Sequence, residues 1–229
     1  MVKSMTSQNT AVTSAGLLAG IREARLVGIV RGNDGGAAAR AALAAMEEGF
    51  QYVEIAVTTP NAVDAIREVR AAAPAGCLVG AGTVLSQADV EHVTAAGAQF
   101  IVTPSLAPSI SEAAAAGIPV LAGALTPSEA YEAMERGATA IKLFPASIGG
   151  PGYLKAVRDP FPDIPFIAVG GVGLNEAAGY WEAGAIAVGL GGPLFGKAAS
   201  GGDLTDMRDR ARSFLGLAAD FAARTGTPS

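Results

Sequence analysis

Short β-branched apolar runs alternate with alanine-rich stretches along this chain, and the alternation occurs eight times. The runs predict strands at Leu26–Val30, Tyr52–Ala56, Leu78–Gly80, Phe100–Val102, Val120–Ala122, Ala140–Lys142, Phe166–Val169 and Ala185–Gly189. Helices are predicted between them, over Ala37–Glu48, Val63–Ala73, Gln87–Ala96, Pro108–Ala116, Pro127–Arg136, Tyr153–Arg158 and Asn175–Glu182. Gly49, Gly97, Gly117, Gly137 and Gly184 stand just before the next strand, where a left-handed residue ends a helix. The repeating unit is therefore βα.

The predicted strands lack polar alternation, as strands of a parallel sheet covered on both faces do. Eight βα units in 229 residues match a single-domain (β/α)8 TIM barrel. The rival, an open doubly wound sheet, needs a dinucleotide loop after its first strand. Arg31-Gly32-Asn33-Asp34-Gly35-Gly36 has the wrong spacing for one. Asp203 to Arg224 reads as a final amphipathic helix with Met207, Phe214, Leu217 and Phe221 on one face. Gly16 to Ala24 reads as a helix closing the bottom of the barrel. Residues 1–13 are polar and lack an apolar signal core, so they are read as a disordered tail, with 14–229 as the barrel and the cytoplasm as the location.

Composition narrows the chemistry. Half the residues are apolar and 16% are charged, yet no apolar stretch free of Gly, Pro and charge is long enough to span a bilayer. A net charge of −5 offers no basic stripe for nucleic acid. The one cysteine, Cys77, cannot form an internal disulfide and reads as a structural thiol at a strand start. His92, the one histidine, lies in a helical pattern without a second His or Cys to complete a zinc shell.

In such a barrel, reactive side chains gather at the C-terminal ends of the strands. Arg31, Glu54, Thr83, Pro104 and Lys142 stand on or just beyond these ends, and would converge on one mouth. Lys142, one of four lysines, closes a buried run; an ammonium there loses hydration, which favours the neutral, nucleophilic amine that a Schiff-base lysine needs. Strands seven and eight lead into Gly170-Gly171 and Gly191-Gly192, turns whose N–H groups, with a following helix N-terminus, suit phosphate. Each feature has a plainer reading. Lys142 could snorkel to water, Glu54 and Arg31 could form a structural ion pair, and the paired glycines could be tight turns only.

Taken together, Gly28-Ile29-Val30-Arg31-Gly32, Val53-Glu54-Ile55, Gly80-Ala81-Gly82-Thr83-Val84-Leu85, Phe100-Ile101-Val102-Thr103-Pro104, Ile141-Lys142-Leu143-Phe144-Pro145-Ala146 and Ala168-Val169-Gly170-Gly171-Val172 resemble the KDPG/KHG aldolase family. The resemblance runs in order from about Leu26 to Phe195. It implies a class I pyruvate aldolase with Lys142 as Schiff-base lysine and Glu54 as general acid/base. It also implies Thr83 and Pro104 on the pyruvate pocket, Phe144 beside the lysine, and Gly170, Gly171, Gly191 and Gly192 around a phosphate. A small keto-acid substrate, no metal or organic cofactor, and a homotrimer follow from the same resemblance.

The chain departs from the gluconate-type members in two places. Thr58 stands where many of them carry an arginine, four residues after the glutamate, which leaves Arg31 as the anchor for the substrate carboxylate. Together with Gly149-Gly150-Pro151-Gly152-Tyr153, this resembles the 6-phosphogalactonate branch. Gly191-Gly192-Pro193 lacks the serine hydroxyl common in the strand-eight turn. Three other activities are open to the sequence: cleavage of unphosphorylated acids such as 4-hydroxy-2-oxoglutarate, phosphosugar isomerisation or synthesis, and sugar-acid binding without turnover.

Overall fold

The computed structural model describes residues 12–226. Its eight strands are β1 (Leu26–Val30), β2 (Tyr52–Ala56), β3 (Leu78–Gly82), β4 (Phe100–Val102), β5 (Val120–Ala124), β6 (Ala140–Leu143), β7 (Phe166–Val169) and β8 (Ala187–Leu190). All neighbours pair in parallel, and β8 pairs back onto β1 to close the barrel. The (β/α)8 expectation is met. Strands β3, β5 and β6 run further toward the mouth than the apolar pattern predicts, because Gly82, Ala124 and Leu143 continue the ladders. Strand β8 begins at Ala187, two residues later than predicted.

Helices follow the strands: α2 (Gly35–Glu48), α3 (Ala62–Ala72), α4 (Gln87–Ala95), α5 (Ser109–Ala115), α6 (Pro127–Glu135), α7 (Gly150–Arg158) and α8 (Leu174–Glu182). Helix α7 starts three residues before the predicted Tyr153, since Pro151 in its first turn needs no hydrogen-bond partner for its missing N–H. The five glycines predicted as helix ends all adopt positive φ. A four-residue helix, α9 (Gly192–Phe195), follows β8 at the glycine turn where a helix N-terminus is expected, and α10 (Leu204–Thr225) closes the chain.

Strand alternation sorts the core into two layers. Val53 and Ile55 of β2 face the helices, as do Ile141 and Leu143 of β6. Tyr52, Phe100, Leu121, Ala140 and Ile167 face the barrel axis near the strand starts. Helix α1 (Ser14–Ala24) plugs that end with Leu17 and Ile21, both fully buried and each stabilising by roughly 1.5–3 kcal/mol. Of the residues read as a tail, 1–11 lie outside the described residues; Val12 packs on the inner cluster and the Thr13 hydroxyl accepts from Gly16 N at 3.1 Å. The bottom is therefore filled, and the open end is where the strands finish.

The outer layer is held by α10. It lies across α2, whose alanines are buried on nearly every face. Arg208 reaches Glu47 at 2.5 Å and Glu48 at 2.8 Å, and Arg212 reaches Glu48 at 2.8 Å. Cys77 is half-buried beneath β3, and burial pushes its thiol pKa up, as befits a structural thiol rather than a thiolate nucleophile. His92 is exposed on α4. Among the described residues no three His, Cys, Asp or Glu side chains come together, and no helix is long and apolar enough to cross a membrane.

Candidate active site

Lys142 is the third residue of β6 and Glu54 the third of β2, so alternation turns both side chains toward the barrel axis. They meet there. Lys142 Nζ lies 3.7 Å from Glu54 Oε1, an ion pair slightly longer than a hydrogen bond, with residue exposures of 6% and 1%. Snorkelling to water, the plainer reading of Lys142, is not what this lysine does. Burial pushes the Glu54 carboxyl pKa up; the positive charges of Lys142 and Arg31 pull it down but do not cancel the loss of hydration. Its Oε2 is buried without a hydrogen-bond partner.

A small residue makes room for this carboxylate. On β3, Gly82 is the second neighbour of Gly80, which pairs with Glu54. A Cβ on Gly82 would lie 2.8 Å from Glu54 Oε1 and 2.9 Å from its carboxyl carbon, closer than such atoms approach. The next residue, Thr83, has φ of 62°, a left-handed conformation that costs a β-branched residue of order 1–3 kcal/mol. Arg31 Nη2 donates to the Thr83 hydroxyl at 3.1 Å. Arg31 thus contacts Thr83, whereas the ion-pair partner of Glu54 is Lys142, so a structural Arg31–Glu54 pair is not formed.

Neighbouring loops are fastened to the barrel. The Thr103 hydroxyl donates to Ser105 O at 2.7 Å and accepts from Gly123 N at 3.0 Å, which fixes Pro104 between them. The Tyr153 hydroxyl donates to Leu125 O at 2.8 Å, tying α7 to the end of β5. Ser147 N donates to Gly170 O at 3.1 Å, joining the turns after β6 and β7. Lys142 Nζ sits 5.4 Å from the centroid of the Phe144 ring, which is 37% exposed at the mouth.

These parts enclose a cavity of about 320 Å³. Of the ten side chains and glycines predicted for the site, nine line it: Arg31, Thr83, Pro104, Lys142, Phe144, Gly170, Gly171, Gly191 and Gly192. Glu54 is the exception. It lies beneath the wall, in contact with Lys142. Ile29, Val169 and Phe195 supply apolar wall that the sequence reading passed over. Ile29 and Val169 were findable, since each is two residues along its strand from an inward-facing neighbour. Phe195 was not, because α9 is too short to give a periodic signal that would place it.

An amine and a carboxylate buried together, with two glycine turns in the same cavity wall, form a site able to hold an anionic carbonyl compound. A family model described as KDPG and KHG aldolase matches residues 18–208. The chain is 38% identical over 206 residues to a probable 2-dehydro-3-deoxy-6-phosphogalactonate aldolase of Rhizobium meliloti (strain 1021), covering 89% of this chain and 95% of that one. It is 38% identical over 172 residues to the 2-dehydro-3-deoxy-6-phosphogalactonate aldolase of Escherichia coli (strain K12), covering 74% and 84%. A solved structure described as native KDPGal superposes with a TM-score of 0.81 at 34% identity, covering 86% of this chain and 96% of that one. On this agreement of fold, site and near full-length similarity, the chain belongs to the KDPG and KHG aldolase family.

Proposed function

We propose that this aldolase cleaves a 2-keto-3-deoxy-6-phospho sugar acid, of the phosphogalactonate or phosphogluconate type, to pyruvate and glyceraldehyde 3-phosphate. The observation that carries the reading is the buried Lys142–Glu54 pair, whose lysine shares one cavity with the two glycine turns. Two phosphogalactonate aldolases among the relatives favour that epimer.

In this reading the neutral amine of Lys142 attacks the C2 ketone, and loss of water leaves an iminium bonded to Nζ. Glu54 takes the proton of the C4 hydroxyl; because it lies beneath the wall, a route through one water molecule suits its position. The C3–C4 bond breaks, its electron pair moves into the iminium to give an enamine, and the aldehyde leaves. Protonation at C3 by Glu54 regenerates the iminium, and hydrolysis frees pyruvate and the lysine. The raised pKa of Glu54 fits a group that must both accept and return a proton near neutral pH. Arg31, held by Thr83, binds the pyruvyl carboxylate, Pro104 and Phe144 flank the ketone, and Gly170, Gly171, Gly191 and Gly192 face the phosphate.

A second reading, cleavage of an unphosphorylated acid such as 4-hydroxy-2-oxoglutarate, draws on the missing hydroxyl of Gly191-Gly192-Pro193. Pyruvate release measured in parallel on phosphogalactonate-type, phosphogluconate-type and unphosphorylated keto acids separates the two. The first predicts the highest kcat/KM on a phosphorylated acid, and a higher value on the unphosphorylated acid overturns it. A cytoplasmic homotrimer belongs to the same proposal; analytical ultracentrifugation giving a monomer would remove the trimer.

A further inference from the structure

Arg210, on α10, packs against the backbone of the segment that follows β8. Its Nε donates to Leu194 O at 2.7 Å, a carbonyl at the end of α9 that no later turn of helix can satisfy. Its guanidinium also lies against Gly196, where a Cβ would sit 2.8 Å from Nη2. Gly196 has φ 52° and ψ −120°, a conformation open in practice to glycine alone, so the backbone can pass directly under the planar cation. The other face of Gly196 is cavity wall, continuous with Gly191 and Gly192. Arg210 is half-buried, and among the described residues no carboxylate pairs with it. The ion pairs of α10 are made instead by Arg208 and Arg212.

An arginine that is half-buried without an acid partner, behind the wall of a site for an anion, leaves its charge uncompensated until that anion binds. We propose that Arg210 is the positioning residue for the distal phosphate, acting through the Leu194–Gly196 segment. It fixes the course of the strand-eight turn by its hydrogen bond and lends that turn positive charge. This rests on the phosphorylated-substrate reading above. It also accounts for a turn that can hold phosphate without a serine hydroxyl, because the charge comes from behind the backbone and not from the loop.

The test compares wild type with Arg210→Gln, Arg210→Lys and Lys197→Gln, the last removing the exposed lysine next to Gly196. Four quantities are measured: KM and kcat on the phosphorylated keto acid, the inhibition constant of inorganic phosphate, and the rate of exchange of pyruvate's methyl protons. Arg210→Gln should raise KM and the phosphate inhibition constant together by roughly tenfold, as expected for one charge at short range behind a partly shielded wall. Pyruvate exchange, which involves no phosphate and also reports an intact site, should change less than about twofold, and Arg210→Lys, which keeps the charge but not the Nε–H bond, should recover part of the loss. Unchanged KM and inhibition constant in Arg210→Gln overturn the inference, as does a parallel fall in pyruvate exchange or an effect confined to Lys197→Gln. If wild type itself neither prefers the phosphorylated acid nor is inhibited by phosphate, the substrate reading fails and this inference falls with it.

Discussion

Glu54 Oε1 stands 3.7 Å from Lys142 Nζ across the barrel, yet only the lysine belongs to the cavity wall. The amine faces the substrate space while the carboxylate stays below it. In the proposed mechanism that layering divides the work, with bond formation at Lys142 and proton traffic at Glu54.

Glu54→Gln keeps the shape and removes the proposed base. Borohydride trapping of pyruvate should persist, while exchange of pyruvate's methyl protons slows by roughly 10²–10⁴-fold. Exchange at the wild-type rate would make Glu54 a structural residue.

Gly82→Ala reaches the same carboxylate from the other side. A methyl group 2.8 Å from Oε1 must push the carboxylate off its place. Exchange should fall by at least about tenfold while trapping at Lys142 continues, because a displacement near 1 Å is costly for proton transfer. Combining it with Glu54→Gln should add little further loss, since both act on one group. Full additivity would mean that Gly82 serves another part of the site.

The raised carboxyl pKa of Glu54 also sets a pH dependence of stability. Between the unfolded value of about 4.3 and the higher folded value, the native state holds a proton that the unfolded chain has released. Stability therefore falls as pH rises through that window, and the loss remains above it. Urea unfolding from about pH 4.5 to 8 should show wild type losing stability relative to Glu54→Gln as pH increases. A relative gain with pH would mean that Lys142 and Arg31 outweigh the desolvation.

Arg31 is tied to Thr83 by a 3.1 Å hydrogen bond, and both line the cavity. Arg31→Lys keeps the charge but loses the fork that, in the proposed reading, grips a carboxylate at two points, so activity should fall by about tenfold or more. The loss should be as large for pyruvate exchange as for cleavage of the full substrate. Normal exchange with impaired cleavage would move Arg31 to the distal end of the substrate.

Much of this was legible in the chain because period and position carry it. Strand runs and glycine stops gave eight βα units, and the barrel rule then put Lys142, Arg31 and Thr83 at one mouth. The depth of Glu54 was not legible, since a strand pattern gives the face of a residue but not its distance below the mouth. The bounds of α9 were not legible because four residues, one of them proline and one glycine, make no periodic signal. Arg210 escaped for a different reason: it meets Leu194 from sixteen residues away, through a packing of α10 that only the folded chain displays.

The central claim, that Lys142 forms the covalent link to the keto acid, is tested most directly by trapping. Incubation with pyruvate and sodium borohydride should add one reduced pyruvyl group per chain, and peptide mapping should find it on Lys142, with none in Lys142→Ala. A group mapped to Lys155 or Lys197, or turnover without any trapped adduct, would contradict the account.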